Sequence, residues 1–179
     1  MKAVGEIGGS RSPCQVLFLC TGNSARSIMA EALLNHLGRG RFVAHSAGSH
    51  PNGRVHPLAL ATLGLYGIEA GNPRSKSWEE FAAPGEHPAM DAIITVCDNA
   101  AGETCPVWPG HPVTAHWGVP DPAAAEGTEH RRREAFVRAC GLLRARIEAL
   151  IAAPVETLAN EAFRDQLRAI GRLHARGDS

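Results

Sequence analysis

The chain has 179 residues, a length that accommodates one domain and leaves little for a second. Lysine plus arginine and aspartate plus glutamate each number 18, so no whole-protein field of one sign exists, and neither nucleic acid nor a membrane surface is expected as a partner. Hydrophobic residues make up 44% yet never run for the ~18 needed to span a bilayer, and Met1 to Glu6 lacks the apolar stretch of a signal peptide, which reads as a cytoplasmic protein.

In chain order, residues 1–13 are glycine-rich without apolar periodicity and read as a flexible leader, with order expected from near Cys14. Gln15 to Leu19 is a short apolar run and hence a buried strand, followed by the polar turn Cys20-Thr21-Gly22-Asn23-Ser24. From Ala25 the pattern turns helical, with Met29, Leu33, His36 and Leu37 on one side and Gly38 and Gly40 closing it. Arg41 to Ser46 reads as a second strand, Ala47-Gly48-Ser49 as a loop, and Leu58 to Tyr66 as a helix stopped by Gly67. A polar stretch, Gly71 to Lys76, leads to a short helix near Trp78–Phe81 and then to the apolar strand Ala92–Val96, which ends at Cys97. The following residues are rich in glycine, proline and aspartate and read as a long loop, interrupted by a last strand at Val113–Trp117 and closed by Asp121-Pro122. Phe136, Cys140, Leu143, Ile147 and Leu150 recur at helical spacing until Pro154 interrupts, and a weaker helical pattern resumes over 155–175. Strands alternating with helices predict an α/β fold: a single domain over 14–153, a doubly wound sheet of about four parallel strands, and a helical extension over 154–179. The ligand crevice of such a sheet lies beyond the carboxyl ends of its strands, where Cys20, Ser46, Cys97 and the 117–122 loop all fall.

Five cysteines in a chain that builds its own core do not make a disulfide scaffold, so each must be a reagent, a ligand or a core atom. Cys20 and Arg26 frame C-x5-R-S between a strand and a helix. A loop of that length turns successive N–H groups of Thr21, Gly22, Asn23, Ser24 and Ala25 inward, and the helix adds its positive end, so a tetrahedral dianion is held without bulk positive charge. Arg26 supplies a fork for two of the oxygens, Ser27 a donor to the Cys20 sulfur, and Asn23 a support for the loop's shape. The same donors favour the Cys20 thiolate, a nucleophile. Attack on a tetrahedral oxyanion needs a proton donor for the departing oxygen, and Asp121 stands on a loop placed to reach it. Cys97 and Cys105 flank a small, polar spacer that reads as flexible, which allows a three-thiol relay with Cys20. With His111 and His116 they also form C-x7-C-x5-H-x4-H, but the cysteine spacing is too wide for the usual zinc knuckle, and no metal or cofactor is called for. Cys140 lies on the apolar stripe of the long helix and reads as core, while Cys14 has no assigned role.

The runs Val16 to Ser27, Met29 to Ala32, Ser46-Ala47-Gly48, Thr95 to Asp98, Cys105-Pro106, His116-Trp117-Gly118 and Asp121-Pro122-Ala123 together resemble the arsenate reductases built on the low-molecular-weight tyrosine phosphatase fold. The resemblance implies that arsenate, with phosphate or sulfate as competitors, binds in the 20–26 loop, that Cys20 attacks arsenic, and that Asp121 protonates the leaving oxygen. It further implies that Cys97 attacks the Cys20 adduct and that Cys105 takes over the resulting disulfide. The Cys97–Cys105 spacer is one residue longer than in thioredoxin-coupled relatives, so thioredoxin and a glutathione or glutaredoxin system both stand as the electron donor. Asn23, Glu31 and Ser46 match three ligands of the potassium site found in some relatives, but Lys76-Ser77 stands where an acidic ligand is expected, so that a lysine ammonium takes the cation's place. Two other readings use the same residues: a phosphomonoesterase, which leaves Cys97 and Cys105 unexplained, and a non-catalytic oxyanion or redox sensor.

Overall fold

The computed structural model describes residues 12–103 and 106–174. Four parallel strands, β1 (Cys14–Cys20), β2 (Phe42–Gly48), β3 (Ala92–Thr95) and β4 (Val113–His116), form one sheet in the order β2-β1-β3-β4. Strand β1 is central and buried on both faces, which explains why its sequence runs apolar instead of alternating. Val16, Phe18 and Cys20 face one core cluster with Met29, Leu33, Phe136, Cys140 and Leu143, while Leu17 and Leu19 face a smaller one with Phe81, Met90, Ile93 and Trp108.

Helices α1 (Arg26–Leu37), α2 (Pro57–Leu65) and α3 (Glu79–Ala82) connect the first three strands, and α4 (Asp98–Gly102) follows β3. A 3-10 turn at Pro122–Ala124 precedes the long helix α5 (Glu129–Ala152), whose start is capped by Thr128 Oγ1 accepting from Arg131 N at 3.2 Å. After Pro154, α6 (Asn160–Ile170) buries Phe163, Leu167 and Ile170 in the main cluster, against β4. Sequence order and strand order diverge between β1 and β3: the chain leaves β1 toward β2 and returns on the other side. The crevice at that switch point opens between the ends of β1 and β3, where Cys20 and Cys97 stand.

Two expectations need correction. Strand β2 runs two residues past Ser46, through Gly48, because Gly48 N donates to Lys76 O and its carbonyl accepts from Trp78 N, extending the pairing. The residues after Cys97 are not simply a loop: Asp98 to Gly102 form α4, with Cys97 as its cap. Among the described residues no helix is long and apolar enough to cross a membrane.

Candidate active site

Cys20 ends β1, and the loop that follows is shaped by where its carbonyls go. Thr21 O accepts from His50 N, Gly22 O from Asn52 N and Ser24 O from His56 N, at 2.8–2.9 Å. The segment after β2 therefore occupies the loop's oxygens, and among the described residues the N–H groups of Gly22, Asn23, Ser24 and Ala25 have no partner, which leaves them available to an anion. Asn23 turns the loop with φ 45°, a left-handed conformation that asparagine tolerates, and it is fully buried. Its Oδ1 accepts from Lys76 N and its Nδ2 donates to Ser27 Oγ, both at 2.8 Å. Because Ser27 Oγ accepts there, its own hydrogen is free for the Cys20 sulfur 2.9 Å away. Gly48 is required beside this loop: a Cβ there would stand 2.5 Å from Thr21 O.

Arg26 opens α1, and Ala25 at the cap position makes no side-chain bond, so the helix start stays open toward the cradle. The guanidinium donates to Val119 O at 3.0 Å and lies 3.8 Å from Asp121 Oδ2. Asp121 accepts from Ala123 N through Oδ1, which caps the 3-10 turn and aims the other oxygen at Arg26. Cys20, Thr21, Gly22, Ser24, Arg26 and Asp121 line one cleft of about 230 Å³, together with Asn52 and Asn99.

The sulfur of Cys97 accepts from Thr21 N at 3.3 Å and Ala100 N at 3.4 Å, with Thr21 Oγ1 3.5 Å away. The second thiol thus rests on the amide of the residue next to Cys20. Cys97, Arg26 and Asp121 also line an adjoining cleft of about 530 Å³. Cys105 lies outside the described residues. Cys140 is fully buried and burial pushes its thiol up to about 11, in keeping with a core atom. Cys14 is pushed up to about 12, by burial first and then by Asp91 and Glu156. His116 is bonded to Thr95 Oγ1 at 2.7 Å and to Asp98 Oδ1 at 2.8 Å.

Below the cradle, Ser46 Oγ donates to Glu31 Oε2, and Lys76 Nζ lies 3.4 Å from Ser46 Oγ and 3.9 Å from Glu31 Oε2. Burial raises the Glu31 carboxyl above its usual range, with Lys76 offsetting part of the rise. Sequence reasoning missed the Val119 carbonyl that steadies Arg26, the Asn52 and Asn99 side of the cleft and the Thr21 amide under Cys97, all of which depend on contacts between segments far apart in the chain.

Fold and site together define a class: an α/β domain with a thiol at the head of a candidate anion cradle. The chain belongs to the low molecular weight phosphotyrosine protein phosphatase family, whose model matches residues 15–163. An arsenate reductase of Bacillus licheniformis is 40% identical over 124 residues, covering 69% of this chain and 84% of the relative. A solved arsenate reductase in the phosphate binding state superposes with a TM-score of 0.63 at 31% identity, covering 78% of this chain and 97% of that one. A thioredoxin-dependent arsenate reductase of Corynebacterium glutamicum gives a TM-score of 0.52 at 29% identity, covering 74% of this chain and 60% of that one.

Proposed function

We infer that the protein reduces arsenate to arsenite at Cys20. The observation that carries this reading is the Cys97 sulfur seated on the Thr21 amide: a hydrolase needs the cradle alone, whereas a second thiol at its lip serves a redox step. Arsenate sits among the N–H groups of residues 22–25 with Arg26 forked onto two of its oxygens. The Cys20 thiolate, held by Ser27, forms a bond to arsenic, and the departing oxygen leaves as water with the proton of Asp121. Cys97 then attacks the Cys20 sulfur: a disulfide forms, the sulfur–arsenic bond breaks, and its electron pair stays on arsenic, which leaves as arsenite. Cys105 attacks Cys97, freeing Cys20, and a dithiol donor of the thioredoxin class reduces the Cys97–Cys105 bond. Thioredoxin is favoured over glutathione with glutaredoxin by the corynebacterial relative. Lys76 holds the place beside Glu31 and Ser46 that a cation would otherwise fill, and its backbone N–H holds Asn23.

The test mixes reduced protein with arsenate alone and maps disulfides in wild type, Cys97→Ser and Cys105→Ser. The expected result is one arsenite per chain, retained in Cys105→Ser and lost in Cys97→Ser. Aryl phosphate hydrolysis without arsenite or any new disulfide in wild type would refute the reading. Turnover with thioredoxin against glutathione plus glutaredoxin decides the donor.

A further inference from the structure

Arg146 of α5 is buried, 4% exposed, and among the described residues no carboxylate pairs with it; its partners are two backbone carbonyls. Nη1 donates to Gly118 O at 3.0 Å, in the loop that leads to Asp121, and Nε to Leu173 O at 3.3 Å, just past the end of α6. The next carbonyl of the loop, Val119 O, accepts from Arg26 Nη1 at 3.0 Å. Two further contacts tie α6 to the same loop. The indole N–H of the fully buried Trp117 donates to Leu167 O at 2.8 Å. Gly171 packs so closely that a Cβ there would lie 2.6 Å from His116 O and 2.8 Å from the Trp117 ring.

We propose that α6 and Arg146 form a brace that sets the position of Asp121, with Arg146 a positioning residue acting through Gly118. The brace rests on the acid role given to Asp121 above. A buried guanidinium whose partners among the described residues are carbonyls alone is a poor source of stability, since an apolar side chain of similar length fills the same space without desolvating a charge. What it supplies instead is direction: a planar fork fixes two carbonyls at defined angles, one in the acid loop and one at the end of α6. Most of α6 lies beyond residue 163, where the match to the family model ends.

Two variants test it. Arg146→Met removes the fork, and Gly171→Ala pushes α6 off Trp117 while deleting no core side chain, which covers the case in which Arg146→Met does not fold. Hydrogen exchange at the Trp117 and Val119 amides, which donate to Thr95 O and Val96 O, reads the loop directly. Both variants are expected to speed exchange there and to slow single-turnover arsenite formation by ~10-fold, the scale of a small misplacement of a catalytic group. Alkylation of Cys20 is expected to be unchanged, and Arg146→Lys to recover part of the loss. On an Asp121→Asn background neither substitution is expected to cost anything more, because the group being aimed is gone. Unchanged loop exchange in both variants, or a full loss that persists on the Asp121→Asn background, overturns the brace. Faster loop exchange in a protein whose wild type makes no arsenite supports the brace and refutes the reductase reading instead.

Discussion

Substituting Lys76 by Met isolates the ion pair beneath the cradle. The Lys76 side chain is 9% exposed and that of Glu31 24%, with 3.9 Å between Nζ and Oε2. Burial is the leading cause for both groups: it raises Glu31 and lowers Lys76, in each case against the attraction of the partner. Desolvation therefore outweighs the pairing, and the intact pair adds little net stability, whereas removing one member strands the other at a cost of about 3–5 kcal/mol in general. Glu31 escapes part of that cost by taking up a proton, so about 3 kcal/mol is expected where it stays ionised.

The pH dependence follows from the direction of the Glu31 shift. Its folded-state pKa is raised, so its contribution favours the folded protein most at low pH and is lost as pH rises through the folded value. Lys76→Met raises that value further. The deficit relative to wild type is then small in acid, grows by about 1.4 kcal/mol per pH unit between the wild-type and variant values, and levels off above them. Urea unfolding of both proteins across about pH 5 to pH 8 measures this, and Glu31→Gln with Lys76→Met is expected to recover most of the loss. A deficit that stays constant across that range would mean that lost packing, not the stranded carboxylate, sets the cost.

Two further outcomes follow from the other shifted groups. Because burial pushes Cys14 up to about 12 and Cys140 up to about 11, both stay protonated in the folded protein near neutral pH. Iodoacetamide with mass-spectrometric mapping should modify Cys20 and spare these two, and labelling of either at the Cys20 rate would contradict their burial. His45, whose ring lies 2.9 Å from Gln15 Oε1, is lowered from 6.5 to about 4 by burial first and then by His87 and Lys76. Its neutral form contributes stability that is complete above pH 6.5 and falls as pH drops toward 4, by about 3 kcal/mol at most. Replacing it as His45→Gln should flatten the acid limb of the stability profile, and an unchanged limb would place the titrating group elsewhere.

The fold was legible where hydrophobic period decides structure. The apolar run Gln15–Leu19 marks a two-face-buried strand, and Phe136, Cys140, Leu143 and Ile147 mark one face of α5. That Cys20, Arg26, Ser27 and Asp121 come together at one end of the sheet was legible because a strand, a short polar turn and a helix in succession constrain where such a loop can go. Long-range contacts were not. That Val119 offers its carbonyl to Arg26, or that Leu167 receives the Trp117 indole, depends on how segments 93 and 50 residues apart meet, and no local pattern encodes it. Helix α4 was missed because its five residues are too few to show a period and Cys97, an unusual cap, replaces the expected serine or aspartate.

The amide of Thr21 joins the two thiols. It belongs to the cradle loop, yet it spends its hydrogen on the Cys97 sulfur at 3.3 Å, while the amides of residues 22–25 stay unpartnered among the described residues. In the proposed relay this division orders the steps. Anion binding uses the free amides and leaves Cys97 where it is, so the first attack does not require the second thiol to move. When Cys97 attacks Cys20 it must give up the Thr21 and Ala100 donors, which loosens α4 at its cap in the step that creates the disulfide. In that reading the helix that holds the resolving thiol in reserve is released by the thiol's own reaction. A chain with zero net charge needs no larger field for this, because one loop of oriented amides and one arginine supply the anion site.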